Sequence, residues 1–145
     1  MKYNYTSFYI ENRPKAIKRP MIEIEVFSKD DSKKFDALID SGADLSLFNL
    51  EIAEALDVDL TNSKPSNFTG IAGNVDGYRV DKLKIKVNGF TETVEIPACF
   101  VDSPSVGILL GQDGFFDLYR IKFEKDHDTF EITAAVQINA ITISG

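Results

Sequence analysis

The stretch Ala37-Leu38-Ile39-Asp40-Ser41-Gly42-Ala43-Asp44 limits the possible folds more than any other part of the chain. It begins as a strand apolar on both faces, which belongs in a sheet interior, and delivers one carboxylate into a tight turn made by Ser41 and Gly42. Burying Asp40 there is costly unless hydrogen bonds or a proton compensate it. Taken alone, the tripeptide also fits a plain Asp-Ser-Gly turn that merely ends a strand. Ordinary residue usage produces such a tripeptide in about one of fifteen chains of this length.

The rest of the chain reads as short strands separated by turn signals. Residues 1–20 form an N-terminal arm in which Pro14 and Pro20 interrupt regular structure, with Tyr3, Tyr5, Phe8 and Tyr9 available to pack on the domain. Ile22, Ile24 and Val26 alternate with Glu23 and Glu25, the period of a half-buried strand. Ser28–Lys34 is then a hairpin connection and Phe35–Asp40 the return strand. Leu50–Leu60 has helical spacing, with Asn49 as N-cap and Glu51 and Glu54 suiting the helix dipole. Thr61–Asn67, polar and carrying Pro65, reads as a loop. Gly70-Ile71-Ala72-Gly73 reads as a hairpin tip, and Asp76-Gly77 as a turn.

Leu83, Ile85 and Val87 alternate with lysines before an Asn88-Gly89 turn. Phe90–Val101 returns as a strand in which Pro97 favours an edge or a bulge, and Asp102–Ser105 is a loop. Val106–Gly111 is a second buried apolar segment, and Gln112–Leu118 a short helix that Asp113 is placed to cap. Tyr119, Ile121 and Phe123 alternate with polar residues, and Phe130 and Ile132 begin a last strand. The reading is a mostly β domain over residues 21–133 with one or two short helices, and a C-terminal extension over 134–145.

Composition bounds the function. The 145 residues make one domain, large enough to bury a core without metal or disulfide. A net charge of −7 argues against binding nucleic acid through its phosphates. Arg13, Lys15, Lys18 and Arg19 form a local basic cluster that reads as a solvated linker. Cys99, the single cysteine, rules out an intrachain disulfide and sits between Ala98 and Phe100 as a buried apolar residue. No apolar run approaches membrane-spanning length and no signal-peptide pattern opens the chain, so the expectation is a cytoplasmic protein without membrane contact. His127, the single histidine, lies in a charged turn, where it reads as a solvated residue and not as part of a triad or zinc site. No metal or cofactor is expected.

The order of these features carries more information than any one of them. Asp40-Ser41-Gly42-Ala43-Asp44, then Gly70-Ile71-Ala72-Gly73, then Ile108-Leu109-Leu110-Gly111 resembles the retropepsin-like aspartic proteases, the single-lobe family that includes retroviral proteases. The resemblance covers residues 20–133. It implies a closed β barrel of the retropepsin-like acid protease type, and an active site completed only when two subunits pair. By that resemblance Asp40 is the catalytic aspartate, the Ser41 hydroxyl braces the two active-site loops, and the Gly42 N–H bonds the carboxylates. Ala43 and Asp44 line the substrate backbone. Gly70, Ile71, Ala72 and Gly73 form the flap tip over an extended peptide, and Leu109, Leu110 and Gly111 run beneath the catalytic loop. Leu45, Leu47, Ile71, Val106 and Ile108 are candidate pocket walls, each equally readable as core.

Two departures from the family pattern stand out. Gln112 occupies the position where retroviral enzymes carry an arginine paired with the aspartate matched by Asp44. The chain also runs on past the expected last strand, where Val136, Ile138 and Ile141 suit a subunit interface or a free tail.

Hydrolysis by aspartates needs one carboxylate to activate water and a protonated one to donate to the carbonyl oxygen. The chain has one Asp-Ser-Gly, since Asp102-Ser103 is followed by Pro104. The expectation is therefore a homodimeric endopeptidase with Asp40 and its symmetry mate as the dyad. Ala43 lacks the hydroxyl that pepsin-like enzymes place beside a catalytic carboxylate, so a mildly acidic optimum is expected. The competing reading is a non-catalytic homodimeric peptide-binding or assembly module on the same fold. A domain excised from a polyprotein is a third.

Overall fold

The computed structural model describes residues 1–61, 63–70 and 73–135. In chain order the strands are β1 (Lys2–Asn4), β2 (Thr6–Phe8), β3 (Ile17–Arg19), β4 (Met21–Phe27), β5 (Ser32–Ile39) and β6 (Ser46–Asn49). Helix α1 (Leu50–Leu56) follows, then β7 (Lys64–Gly70), β8 (Gly73–Val87), β9 (Val94–Val101), β10 (Ile108–Leu110), β11 (Tyr119–Glu124) and β12 (Thr129–Ala134). No helix among the described residues is long and apolar enough to cross a membrane.

Strands β4-β5-β10-β6-β9-β8 lie side by side, and β8 returns to β4 through Ile24↔Val87 and Val26↔Ile85, closing a six-stranded barrel. The expected mostly β closed barrel is what the chain forms. Closure leaves those strands without a bare edge, and the alternating residues point inward as the period-2 pattern requires. Ile22, Ile24, Val26, Leu83, Ile85 and Val87 are all buried in one cluster with Phe48, Phe100, Ile108 and Leu110. A second sheet, β1-β12-β11, packs Phe130, Ile132 and Tyr119 against that core.

Several local expectations change once neighbours are present. Thr61–Asn67 is not a loop throughout: from Lys64 it is β7, the outer strand of the sheet, where Pro65 lacks nothing it must donate. Asp76 and Gly77 are not a turn but lie inside β8, opposite Asn67 and Ser66. Glycine is required at 77 because a Cβ would lie 2.7 Å from Cys99 Sγ and 2.9 Å from the Phe100 carbonyl oxygen. Helix α1 stops at Leu56, four residues before the expected end, because Asp57 turns left-handed (φ 54°) and donates its N–H to Ala53 and Glu54. Asn49 caps it as expected, accepting from Glu51 N.

The return strand begins at Val94, not Phe90, and Pro97 meets a bulge between Val80 and Leu83. The expected Gln112–Leu118 helix forms as one wide π-type turn over Gln112–Phe116, kinked at Asp113 (ψ 115°) and Gly114 (φ 90°) and running on into helical residues 117–118. Gly114 lies against Pro97, where a Cβ would come within 2.5 Å of Cδ. Asp113 caps no regular helix.

Residues 1–20 are not free of the domain. β1 pairs with β12 (Tyr3↔Phe130), Met1 and Ile132 exchange main-chain hydrogen bonds, and the Tyr3 ring stacks on Phe130 at 5.3 Å. Tyr5 meets the same ring edge-on. Phe8 and Tyr9 stay exposed. Of the C-terminal extension, Val136, Ile138 and Ile141 lie outside the described residues.

Burial pushes up the pKa of two core groups, Cys99 from 9.0 to about 11 and Tyr119 from 10.0 to about 12. Between those limits the unfolded chain has released protons that the folded chain retains, so stability falls as pH rises. The urea midpoint is expected to be constant up to about pH 8 and to decline from about pH 9. Cys99→Ala is expected to remove the first part of that decline.

Candidate active site

The site is assembled by strand order. β10 inserts between β5, to which it is parallel, and β6, to which it is antiparallel. The connection from β5 to β6, residues 40–45, must therefore pass over the end of β10. That connection is the Asp40 loop.

Main-chain bonds hold it down. Asp40 N donates to the Leu110 carbonyl at 3.0 Å, which continues the β5–β10 ladder into the loop. Ala43 N donates back to the Asp40 carbonyl at 3.2 Å, closing the turn. Gln112 N and Asp113 N donate to the Ala43 and Asp44 carbonyls, each at 2.8 Å. Gly111 lies directly under the loop, where a Cβ would fall 2.4 Å from the Leu45 carbonyl oxygen and 2.7 Å from that of Ala43. Its own N–H donates to the buried Ser46 hydroxyl at 3.0 Å.

With the backbone pinned, the carboxylate is aimed. Gly42 N donates to Asp40 Oδ1 at 3.0 Å, so one oxygen is fixed and the other is unbonded among the described residues. Asp40 is half-buried, not enclosed as the sequence suggests, because the loop crosses the end of the barrel and not its interior. Ser41 and Gly42 are exposed, and within the described residues the Ser41 hydroxyl makes no hydrogen bond. Ala43 is half-buried. Asp44 is exposed and its carboxylate carries no ion pair among the described residues.

Gln112 has a role that sequence reasoning missed. It carries no charge for Asp44, but its Nε2 donates to the Ser41 carbonyl at 2.8 Å. A neutral amide thus fastens the Asp40 turn at a point where the family pattern suggested an ion pair. The neighbouring Asp113 reaches β8 instead, with its carboxylate 3.7 Å from Arg79. Ser46 was missed as well. A serine on the inward face of β6, two residues before Phe48, is its only mark in the sequence.

The candidate pocket walls divide. Alternation puts Ile108 and Leu110 in the interior and Leu109 outward, so Ile108 is core. Leu109 lies in register with Leu38 on one side and Leu47 on the other, and Leu47 in turn with Cys99. Leu38 shares a strand face with Asp40, two residues on. An apolar row therefore crosses the outer face of the sheet beside the carboxylate, and Leu38 and Leu109 join it unforeseen. Val106 is buried in a small cluster with Cys99, Val101 and the half-buried Leu47. Asn49 Nδ2 holds the following loop by donating to the Ser103 and Val106 carbonyls at 2.9 and 2.8 Å.

β7 and β8 form a long hairpin whose last pair is Gly70↔Gly73. The tip residues Ile71 and Ala72 lie outside the described residues.

Gly111→Ala is expected to destabilise the fold by about 3 kcal/mol, since a backbone oxygen must move to admit the methyl. Gln112→Ala is expected to cost only about 1 kcal/mol, the worth of one hydrogen bond. Denaturant unfolding of the two variants checks the ranking.

The family model described as aspartyl protease matches residues 23–113, more than half of the chain, and includes Asp40, its loop and Gly111. No curated protein sequence matches significantly. The chain belongs to the retropepsin-like aspartyl protease family.

Proposed function

We propose that the protein is an aspartic endopeptidase whose active site forms between two copies of the chain, each supplying Asp40. The observation that carries this reading is the fixed, outward carboxylate of Asp40, with one oxygen held by Gly42 N–H and the other unbonded among the described residues. A single chain supplies only one Asp-Ser-Gly, so a twofold axis beside this loop is the simplest way to bring two carboxylates together.

In the dimer, two such carboxylates share one proton, because like charges a few ångströms apart do not both ionise. The ionised one takes a proton from water as the water oxygen attacks the peptide carbonyl carbon. The protonated one gives its proton to the carbonyl oxygen. Collapse of the tetrahedral intermediate breaks the C–N bond, and the leaving nitrogen takes up the proton held by the first carboxylate. A hydroxyl of the intermediate returns a proton to the second as the carboxylic acid forms. Ser41, exposed and with its hydroxyl unbonded among the described residues, braces the mate's loop in this reading. Gly42, Ala43 and Asp44 offer the edge along which an extended peptide lies, with Gly70, Ile71, Ala72 and Gly73 as the covering tip. The apolar row of Leu38, Leu109 and Leu47 favours apolar side chains next to the cleaved bond.

Asp40→Asn is expected to abolish peptide cleavage, by at least a thousandfold, while leaving the dimer intact. A peptide-library assay and sedimentation of the same sample measure both. Undiminished cleavage would exclude Asp40 as the catalytic group. A wild-type dimer that binds peptides and cuts none would favour the peptide-binding module instead.

Ala43 removes a hydroxyl donor that would favour ionisation of the dyad. The pH–rate profile is therefore expected to peak in the mildly acidic range, and Ala43→Ser to shift it to lower pH. A wild-type peak near pH 2–3, the range open to a pepsin-like dyad, would contradict this.

A further inference from the structure

One element of the fold is left without a role by the reading above. Among the described residues β2 and β3 pair only with each other (Thr6↔Arg19, Ser7↔Lys18, Phe8↔Ile17), making a hairpin that stands outside both other sheets. Its base is tied down: Tyr5 N donates to the Asp128 carbonyl, and Lys18 Nζ meets Asp128 Oδ2 at 2.6 Å. The far end is ordered by Arg13 N donating to the Ile10 carbonyl.

That end is apolar and uncovered. Phe8, Tyr9 and Ile10 are consecutive and 40%, 86% and 43% exposed. Isolated apolar residues on a surface need no explanation, but three adjoining ones on a projecting hairpin do. A two-stranded hairpin is also marginal by itself in water, so one that presents apolar side chains gains from being covered.

Charge indicates what covers it. Residues 1–20 hold five basic side chains and one acidic, while the other 125 hold eleven basic and twenty-two acidic. Of the hairpin's cations only Lys18 has an acidic partner; Arg13, Lys15 and Arg19 have none among the described residues. The hairpin is therefore a cationic, apolar-tipped projection on a strongly anionic body. That body disfavours an anionic membrane as the occupant, since its repulsion would oppose the hairpin's attraction within a Debye length of about 8–10 Å. A second copy of the same chain supplies the complementary charge at equal concentration.

We infer that the hairpin of residues 6–19 docks on the acidic body of a second copy, reciprocally, and so helps to hold two chains together. Two identical contacts close the assembly at a dimer, as an isologous arrangement requires. This goes beyond the dyad reading, because it concerns association and not cleavage.

The test uses the full chain. R13E/K15E/R19E, which keeps Lys18 and its tie to Asp128, is compared with wild type by sedimentation over a range of concentration and NaCl. The wild-type dimer is expected to weaken with salt. The triple variant is expected to associate at least tenfold more weakly, with that salt dependence flattened. Tyr9→Ser, which leaves every charge in place, is expected to weaken the dimer without changing its salt dependence. Circular dichroism confirms folding of each.

Unchanged association in both variants would overturn this inference and leave the dyad reading standing. Wild type that stays monomeric at every concentration would overturn both. Wild type that binds phosphatidylserine vesicles through the hairpin, with self-association unaffected by the substitutions, would make lipid the occupant and overturn it as well.

Discussion

The structure depends on how the Asp40 loop is seated on the segment that follows β10. Three main-chain bonds join them, from Asp40 to Leu110 and from Gln112 and Asp113 to Ala43 and Asp44, and a fourth closes the turn itself, from Ala43 to Asp40. The contact is so close that only glycine fits at 111. None of these bonds involves a charged side chain. Backbone polar groups must be satisfied somewhere, and satisfying them against β10 leaves the loop without freedom to wander. The carboxylate then inherits its aim from the barrel.

The same logic explains how the chain manages without the arginine of the family pattern. An ion pair on an exposed loop contributes little and is screened by salt. A short amide-to-carbonyl bond from Gln112 to Ser41 restrains the turn just as directly. The exchange leaves the Asp44 carboxylate exposed and passes the nearest ion pair to Asp113 and Arg79. Arg79 lies on the strand that continues from the Gly70–Gly73 hairpin, in register with Cys99. The stem of that hairpin is thus linked to the turn that buttresses the Asp40 loop.

Legibility differed by kind of feature. Strands whose alternation is unbroken, such as Met21–Phe27 and the Leu83–Val87 part of β8, stand where the pattern puts them, because one buried face dictates their register. The Asp40 turn and the second apolar segment were legible for the same reason. Asp76-Gly77 misled, because a glycine that looks like a turn was serving a close strand approach to Cys99 and Phe100. The kink in Gln112–Leu118 was not legible because the local sequence says nothing of Pro97, which takes the space beside Gly114. Pro65 marked a loop when it marked an outer strand. In each case the deciding neighbour is more than ten residues away.

What the chain determined by itself was the chemistry on offer: one carboxylate at a strand end, glycines that let backbones approach, and alternating apolar residues able to line a barrel. Those are properties of single residues and of spacings below about ten, which short-range sterics and hydrophobic periodicity control. Tertiary structure alone decided that β10 threads between β5 and β6, and that Leu109 and not Ile108 faces outward beside Leu38. It also decided that Ser46 and Gln112 secure the loop and that the basic arm folds into a projecting hairpin. These arrangements join residues tens of positions apart, and their energy arises only when the barrel closes and brings the partners within bonding distance.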